Sequence, residues 1–421
     1  MFKKSATTKD KEDERIRFYL EKTFSQNPSD VAHLLKFLYY PIIRFDTKNW
    51  FYFVDHRWNR RDEDQSPLIG LMKNDLVNRY LSLANRYNEE VMKLTRELNV
   101  VQDLDSMDSN LNVGLYGDSA SDDDSQGDRK DLYLPLIISD LMYKSMICSE
   151  LSLKLSNHGY YHKVNTIAQE LFTQKDFELR LDLNPELLGF NNGNYHLQPS
   201  RLRVPVENDR VFMTVGYHFR SDNMSFRKDI EDFWNRIGLK EMLPVLASLL
   251  RGNVRQPLIW VDGLNDRTSY AISQLLQWTL GDYIGSLPFS TLRKRKIPHY
   301  QNHTHTALVE SCKKRLIIVD QTPEDYPALY PPMIETLLGR HTLNLRKPYE
   351  TTNDYIPQFG IIILSSKSDS EPSSDALVFK VKENLKKNTD IENDLDDGYV
   401  VKEEWKYDFI RMLFEYLNRE V

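Results

Sequence analysis

Residues 259–282, IWVDGLNDRTSYAISQLLQWTLGD, read as a strand, a short glycine-bearing loop and an amphipathic helix. This succession constrains the chain more than any other, because it is the layout of a phosphate-binding P-loop. A working P-loop sets Gly, Lys and then Ser or Thr at the helix start, so that bare backbone N–H groups wrap the phosphates and the ammonium neutralises them. The matching run here is Gly263, Leu264, Asn265, Asp266, Arg267 and Thr268. Asp266 stands where a glycine lets the backbone close in, and it adds a carboxylate beside a polyanion. Arg267 keeps the positive charge but not the compact shape of an ammonium. A carboxylate about 4 Å from a phosphate costs on the order of 4 kcal/mol at an effective dielectric near 20, which weakens binding about a thousandfold. The plainer alternative is an ordinary strand-to-helix loop with Thr268 near the helix start.

The 421 residues suffice for two or three domains. A hydrophobic share of 40% and an aromatic share of 11% support buried cores and argue against a disordered chain. Two cysteines, Cys148 and Cys312, exclude a disulfide framework or a zinc cluster and suit a reducing compartment. The first residues are charged where a secretion signal is apolar, and no apolar run reaches the roughly 18 residues that span a bilayer. The expectation is an intracellular protein with no membrane partner. A net charge of −7 makes nucleic-acid binding a matter of local basic runs, not of the whole chain.

Residues 1–102 alternate helical and strand-like patterns, an α+β start. Residues 103–130, rich in Asp, Ser, Asn and Gly, read as a flexible acidic loop. Helical and turn-rich patterns fill 131–224, where Asn191, Asn192, Gly193 and Asn194 mark a tight turn at which positive φ is cheap. From 225 to 390 the apolar runs LIWVDG, RLIIVD and FGIIIL alternate with helices or loops, as strands of an α/β sheet do. An acidic stretch and a final helix occupy 391–421. The aromatics Trp50, Phe51, Tyr52, Phe53 and Trp58 are expected to be structural, with alternation burying every second one.

Read in order, SDVAHLLKFLYYP, KNWFYFVDHRWNRRD, DFELRLDLNPELLGFNNGNYHL, NDRVFMTVGYHF, LLRGNVRQPLIWVDGLND and LLQWTLGDYIGSLP resemble the helicase half of the poxvirus-type primase-helicases of large nucleocytoplasmic DNA viruses. The similarity covers roughly residues 25–385 and leaves no room for the family's preceding primase domain. It implies an α+β, helical linker domain followed by an α/β AAA+ module, P-loop NTPase-like and of helicase superfamily three. It also implies a hexamer that hydrolyses ATP with magnesium and moves on DNA in the host cytoplasm or virus factory, with the virion as another location. Such a machine needs a P-loop Lys, an acidic strand end, a polar sensor, a neighbour's arginine and a basic pore loop.

On this resemblance the nucleotide contacts fall to Gly263, Asn265, Arg267 and Thr268, with magnesium at Thr268 and Asp320 only if nucleotide binds. Asp320 ends the acidic strand, followed by Gln321 where a second acid is usual; its structural alternative is a carboxylate capping the next turn. Ser365 and Ser366 replace the sensor Asn, and the finger region offers only Lys380 and Lys382. Four positions of one reaction centre have thus drifted while the strands persist. For DNA, Arg293, Lys294, Arg295 and Lys296 form the most basic run, beside His299, Tyr300, His303 and His305. Gly339, Arg340, Arg346, Lys347 and Tyr349 match the family's pore segment, the alternative being a β-hairpin with ordinary surface charge. The reading is a helicase-like protein with impaired hydrolysis, acting as a DNA-binding or oligomeric accessory, in a self-assembly or beside an active relative. An active helicase and a virion scaffold are its rivals.

Overall fold

The computed structural model describes residues 6–111, 127–253, 255–292, 306–320, 329–348, 351–365, 376–381 and 401–419. The chain divides into two compact units, one of Met1–Tyr52 with Arg60–Phe177 and one of Phe53–Asn59 with Glu178–Val421.

The first unit holds helices α1 (Ala6–Glu21) and α2 (Pro28–Tyr39), then β1 (Ile43–Asp46) and parts of its antiparallel neighbours β2 (Asn49–Val54) and β3 (Arg57–Asp62), whose joining residues Phe53–Asn59 fall in the second unit. Helices α3 (Pro67–Leu71), α4 (Val77–Leu111), α5 (Gly127–Ser156) and α6 (His158–Phe172) follow. Helix α2 begins where it does because the Asn27 side chain accepts the Ser29 N–H and Pro28 fits the first turn. Its buried Val31, Leu34, Leu35 and Tyr39 recur at helical spacing. The core gathers Tyr80, Leu83 and Tyr87 of α4 with Leu141, Cys148 and Leu151 of α5.

Two sequence expectations change here. Helix α4 continues to Leu111, into the stretch read as an acidic loop; residues 112–126 lie outside the described residues. Trp50 and Phe51 are neighbours on β2, yet both are fully buried. Trp50 packs on Phe45 and Phe172, and Phe51 on Phe177, so β2 is covered on both faces instead of one.

The second unit opens with the antiparallel strands β4 (Leu187–Phe190), β5 (Gly193–His196) and β6 (Arg201–Arg203). After α7 (Arg227–Ile237) and α8 (Met242–Ser248) come β7 (Leu258–Asp262), α9 (Asp266–Leu280), β8 (Ile284–Ser286), α10 (Thr306–Ser311) and β9 (Leu316–Asp320). The chain ends with α11 (Pro331–Leu338), the hairpin of β10 (Leu343–Leu345) and β11 (Asn353–Tyr355), then β12 (Gly360–Leu364), β13 (Ala376–Lys380) and α12 (Trp405–Arg419). Among the described residues the main sheet has five parallel strands in the order β13-β7-β12-β9-β8. The three apolar runs read from the sequence are its central strands, and every residue of β7 and β12 is buried. Alternation divides them between two cores. Ile259, Val261, Ile362 and Leu364 join α7, α8, α9 and α12, whereas Leu258, Trp260, Ile361 and Ile363 join α10 and α11.

Residues 178–224, grouped with the linker from the sequence, and the closing helix both pack within this second unit. Tyr283 Oη accepts the Gly189 N–H at 2.8 Å, Phe414 of α12 stacks on Tyr195 with centroids 4.0 Å apart, and Asp408 accepts the Phe226 N–H at 2.7 Å. A Cβ on Gly189 would stand 2.4 Å from the Met213 carbonyl oxygen, so only glycine admits this approach. The hairpin Phe190–Gly193 does turn on Asn191 and Asn192, but neither has positive φ. Their amides serve elsewhere: Asn191 Nδ2 donates to the Gly216 carbonyl, and Asn192 donates to the Phe219 carbonyl while accepting its N–H.

Candidate functional site

The carboxyl ends of the parallel strands form the edge where α/β folds bind ligands, at the point where successive connections leave in opposite directions. From β7 the chain crosses toward β8 at one border of the sheet, and from β12 it leaves toward β13 at the other. Register places Leu364 opposite both Val261 and Asp320, and Lys380 opposite Asp262. Topology therefore brings Gly263, Asn265, Arg267, Thr268, Asp320 and Ser365 to one edge, although they are far apart in sequence. The Asp320 side chain lies outside the described residues, as do Gln321, Ser366 and Lys382.

The loop at this edge is short. Only Gly263, Leu264 and Asn265 separate the end of β7 from the start of α9. Counting back from Thr268, the first glycine of a G-x-x-x-x-G-K-[S/T] run falls on Val261, which is fully buried inside β7. The strand thus consumes residues that a phosphate cradle needs as free loop. What remains is tied down by the protein. Gly263 takes φ of +77° to turn the chain, the Leu264 N–H donates to the Ser365 carbonyl at 3.0 Å, and the Ser365 N–H donates to the Val261 carbonyl at 2.9 Å.

Asn265 completes the closure. Its side-chain oxygen accepts the Thr268 N–H at 2.7 Å, which makes it the N-cap of α9 and occupies an amide that would face a phosphate. Thr268 itself is buried, while Asp266 and Arg267 are exposed. Asp266 lies in the first turn of α9, where a carboxylate favours the helix dipole by roughly 0.3–1 kcal/mol. Its exposure also moves the charge repulsion expected from the sequence toward the solvent-screened limit of about 1 kcal/mol at 4 Å. Loop length and capping, more than the Asp266 charge, set this edge apart from a phosphate cradle.

Sequence reading passed over Asp262. It is a buried carboxylate directly before Gly263, and its carbonyl accepts the Val381 N–H at 3.1 Å. An acid at a strand end followed by glycine was the signal available.

The second predicted cluster is partly engaged. Arg346 and Lys347 follow β10 in a real hairpin, and Lys347 Nζ lies 3.0 Å from Glu178. Lys313 Nζ donates to the Glu178 carbonyl at 2.8 Å, and the buried Arg315 donates to Gln358 and to the Lys313 carbonyl. Burial pushes the Asp182 carboxyl up and the Lys313 ammonium down, each opposed by the attraction of the other. At the end of α11 Arg340, not Gly339, takes positive φ. Arg293, Lys294, Arg295, Lys296, His299, Tyr300, His303, His305 and Tyr349 lie outside the described residues.

No protein-family model matches the chain, and no curated protein matches it. Among solved structures it is similar to the apo C-terminal region of NrS-1, with a TM-score of 0.30 and 11% identity over 47% of this chain and 45% of that one. It is also similar to the JCV helicase bound to an acetamide compound, with a TM-score of 0.28 and 15% identity over 69% of this chain and 70% of that one. The chain thus spans under half of the NrS-1 region. Likenesses at these scores carry no conclusion about fold or activity.

Proposed function

We propose that the second unit is a P-loop NTPase-type module without a phosphate cradle, serving a viral DNA-replication assembly as a DNA-binding or assembling part and not as its motor. One observation carries this reading: β7 passes into α9 across three residues, with Asn265 holding the Thr268 amide. The viral and DNA parts rest on the resemblance of the quoted segments to primase-helicases and on the basic run 293–296. ATP and magnesium have no part in this role.

Purified full-length chain is expected to show no DNA-stimulated ATP hydrolysis. It is expected to bind single-stranded DNA with an affinity that falls steeply with salt. If Arg293, Lys294, Arg295 and Lys296 each neutralise one phosphate, the log–log salt slope is about −3, and it flattens toward zero when all four become alanine. Hydrolysis that DNA stimulates and Arg267→Ala abolishes would overturn the reading. Absence of salt-sensitive binding would make the chain a scaffold instead.

A further inference from the structure

The first unit shows an apolar stripe that its own core does not use. On α5, Leu141, Cys148, Leu151 and Leu155 are buried, while Tyr133, Leu136, Met142, Tyr143, Met146 and Leu153 are between 50% and 73% exposed. Leu136, Tyr143, Met146 and Leu153 occupy a and d positions of one heptad frame, with Tyr133 and Met142 flanking at e and g. The exposed fractions amount to nearly four whole side chains, on the order of 700 Å² at roughly 200 Å² each. That exceeds the patch of a few hundred Å² usual on a monomer and comes close to the roughly 800 Å² per partner of a stable interface.

The spacing of the stripe identifies its occupant. A twofold axis requires a surface to be complementary to itself. Reversing α5 about the midpoint of the stripe, between Lys144 and Ser145, sets Leu136 against Leu153, Tyr143 against Met146 and Ser139 against Glu150, so each apolar residue at an a or d position meets another. The flanks agree, because Tyr133 then lies beside Lys154, a cation–π arrangement. We propose that this face of α5 binds the same face of a second copy of the chain, antiparallel, making a homodimer. The inference does not depend on the reading of the loop after β7.

Sedimentation of the full chain at tens of micromolar is expected to give twice the monomer mass, and Tyr143→Glu with Met146→Glu to return it to monomer. Both positions are exposed, so far-UV circular dichroism should be unchanged, while the melting temperature should lose its dependence on protein concentration. Orientation is read by oxidation: Leu136→Cys mixed with Leu153→Cys should cross-link, and neither variant alone should. The native Cys148 and Cys312 are buried and leave the assay clear. A monomer at all concentrations, a dimer that survives the double glutamate variant, or Leu136→Cys linking to itself would each overturn the proposal.

Discussion

Asn265 does at the edge of the sheet what a bound phosphate does in a working P-loop: it satisfies an amide at the start of the helix. Asn265→Ala is therefore expected to cost about 1 kcal/mol of stability, measured by urea unfolding, while leaving nucleotide affinity where it is. In the sequence, Asp266 and Arg267 set this run apart from a phosphate-binding loop, and they pointed to charge as the reason. Exposure of Asp266 and the cap by Asn265 move the reason to geometry, which depends on where the strand ends and so cannot be read from residue types. In the first unit, Glu21 accepts from Tyr87 at 2.6 Å and from Arg17 at 2.9 Å. Burial pushes its carboxyl up, but the two hydrogen bonds outweigh that and hold it below the ordinary carboxylate value. A depressed carboxylate adds stability above its unfolded value and loses it as pH falls through the folded one. Acid titration from neutral to about pH 3 should thus weaken the first unit, and Tyr87→Phe should flatten that dependence in thermal melts followed across the same range.

The strands of the second unit were legible because a parallel sheet covered on both faces needs uninterrupted apolar runs, and LIWVD, LIIVD and GIIIL supply them. Their order was not legible. Nothing in residues 258–262 or 360–364 states that β12 lies between β7 and β9, since pairing is decided by crossovers and not by composition. The hairpin at Phe190–Gly193 shows the same limit: its position followed from the run of asparagines, whereas the use of their amides to hold residues 216–219 depends on a neighbour distant in sequence. Helix α12 lies outside the α/β stretch 225–390 read from the sequence, yet Phe414 stacks on Tyr195 and Phe409 on Trp234. Phe414→Ala should cost about 3–5 kcal/mol and raise amide exchange in both α12 and the β4–β5 hairpin. An effect confined to α12 would mean that the helix is docked and not part of the core.

Across the whole chain, the division falls at Phe177 and Glu178, with Phe53–Asn59 joining the second unit. The sequence suggested a boundary near 225 because turn-rich segments resemble linkers; here the turns are held by Tyr283, Asp408 and the aromatic cluster instead of being free. Trp58 shows why a short piece crosses over, since its indole N–H donates to the Glu207 carbonyl at 2.8 Å. The edge that this second unit presents is the carboxyl end of a five-stranded parallel sheet whose first loop is closed by its own side chain. Calorimetric titration of the intact chain with Mg-ATP tests this closure most directly. The account predicts no saturable heat at ATP concentrations up to about 1 mM, a limit near −4 kcal/mol of binding. A micromolar dissociation constant that Thr268→Ala weakens would contradict it.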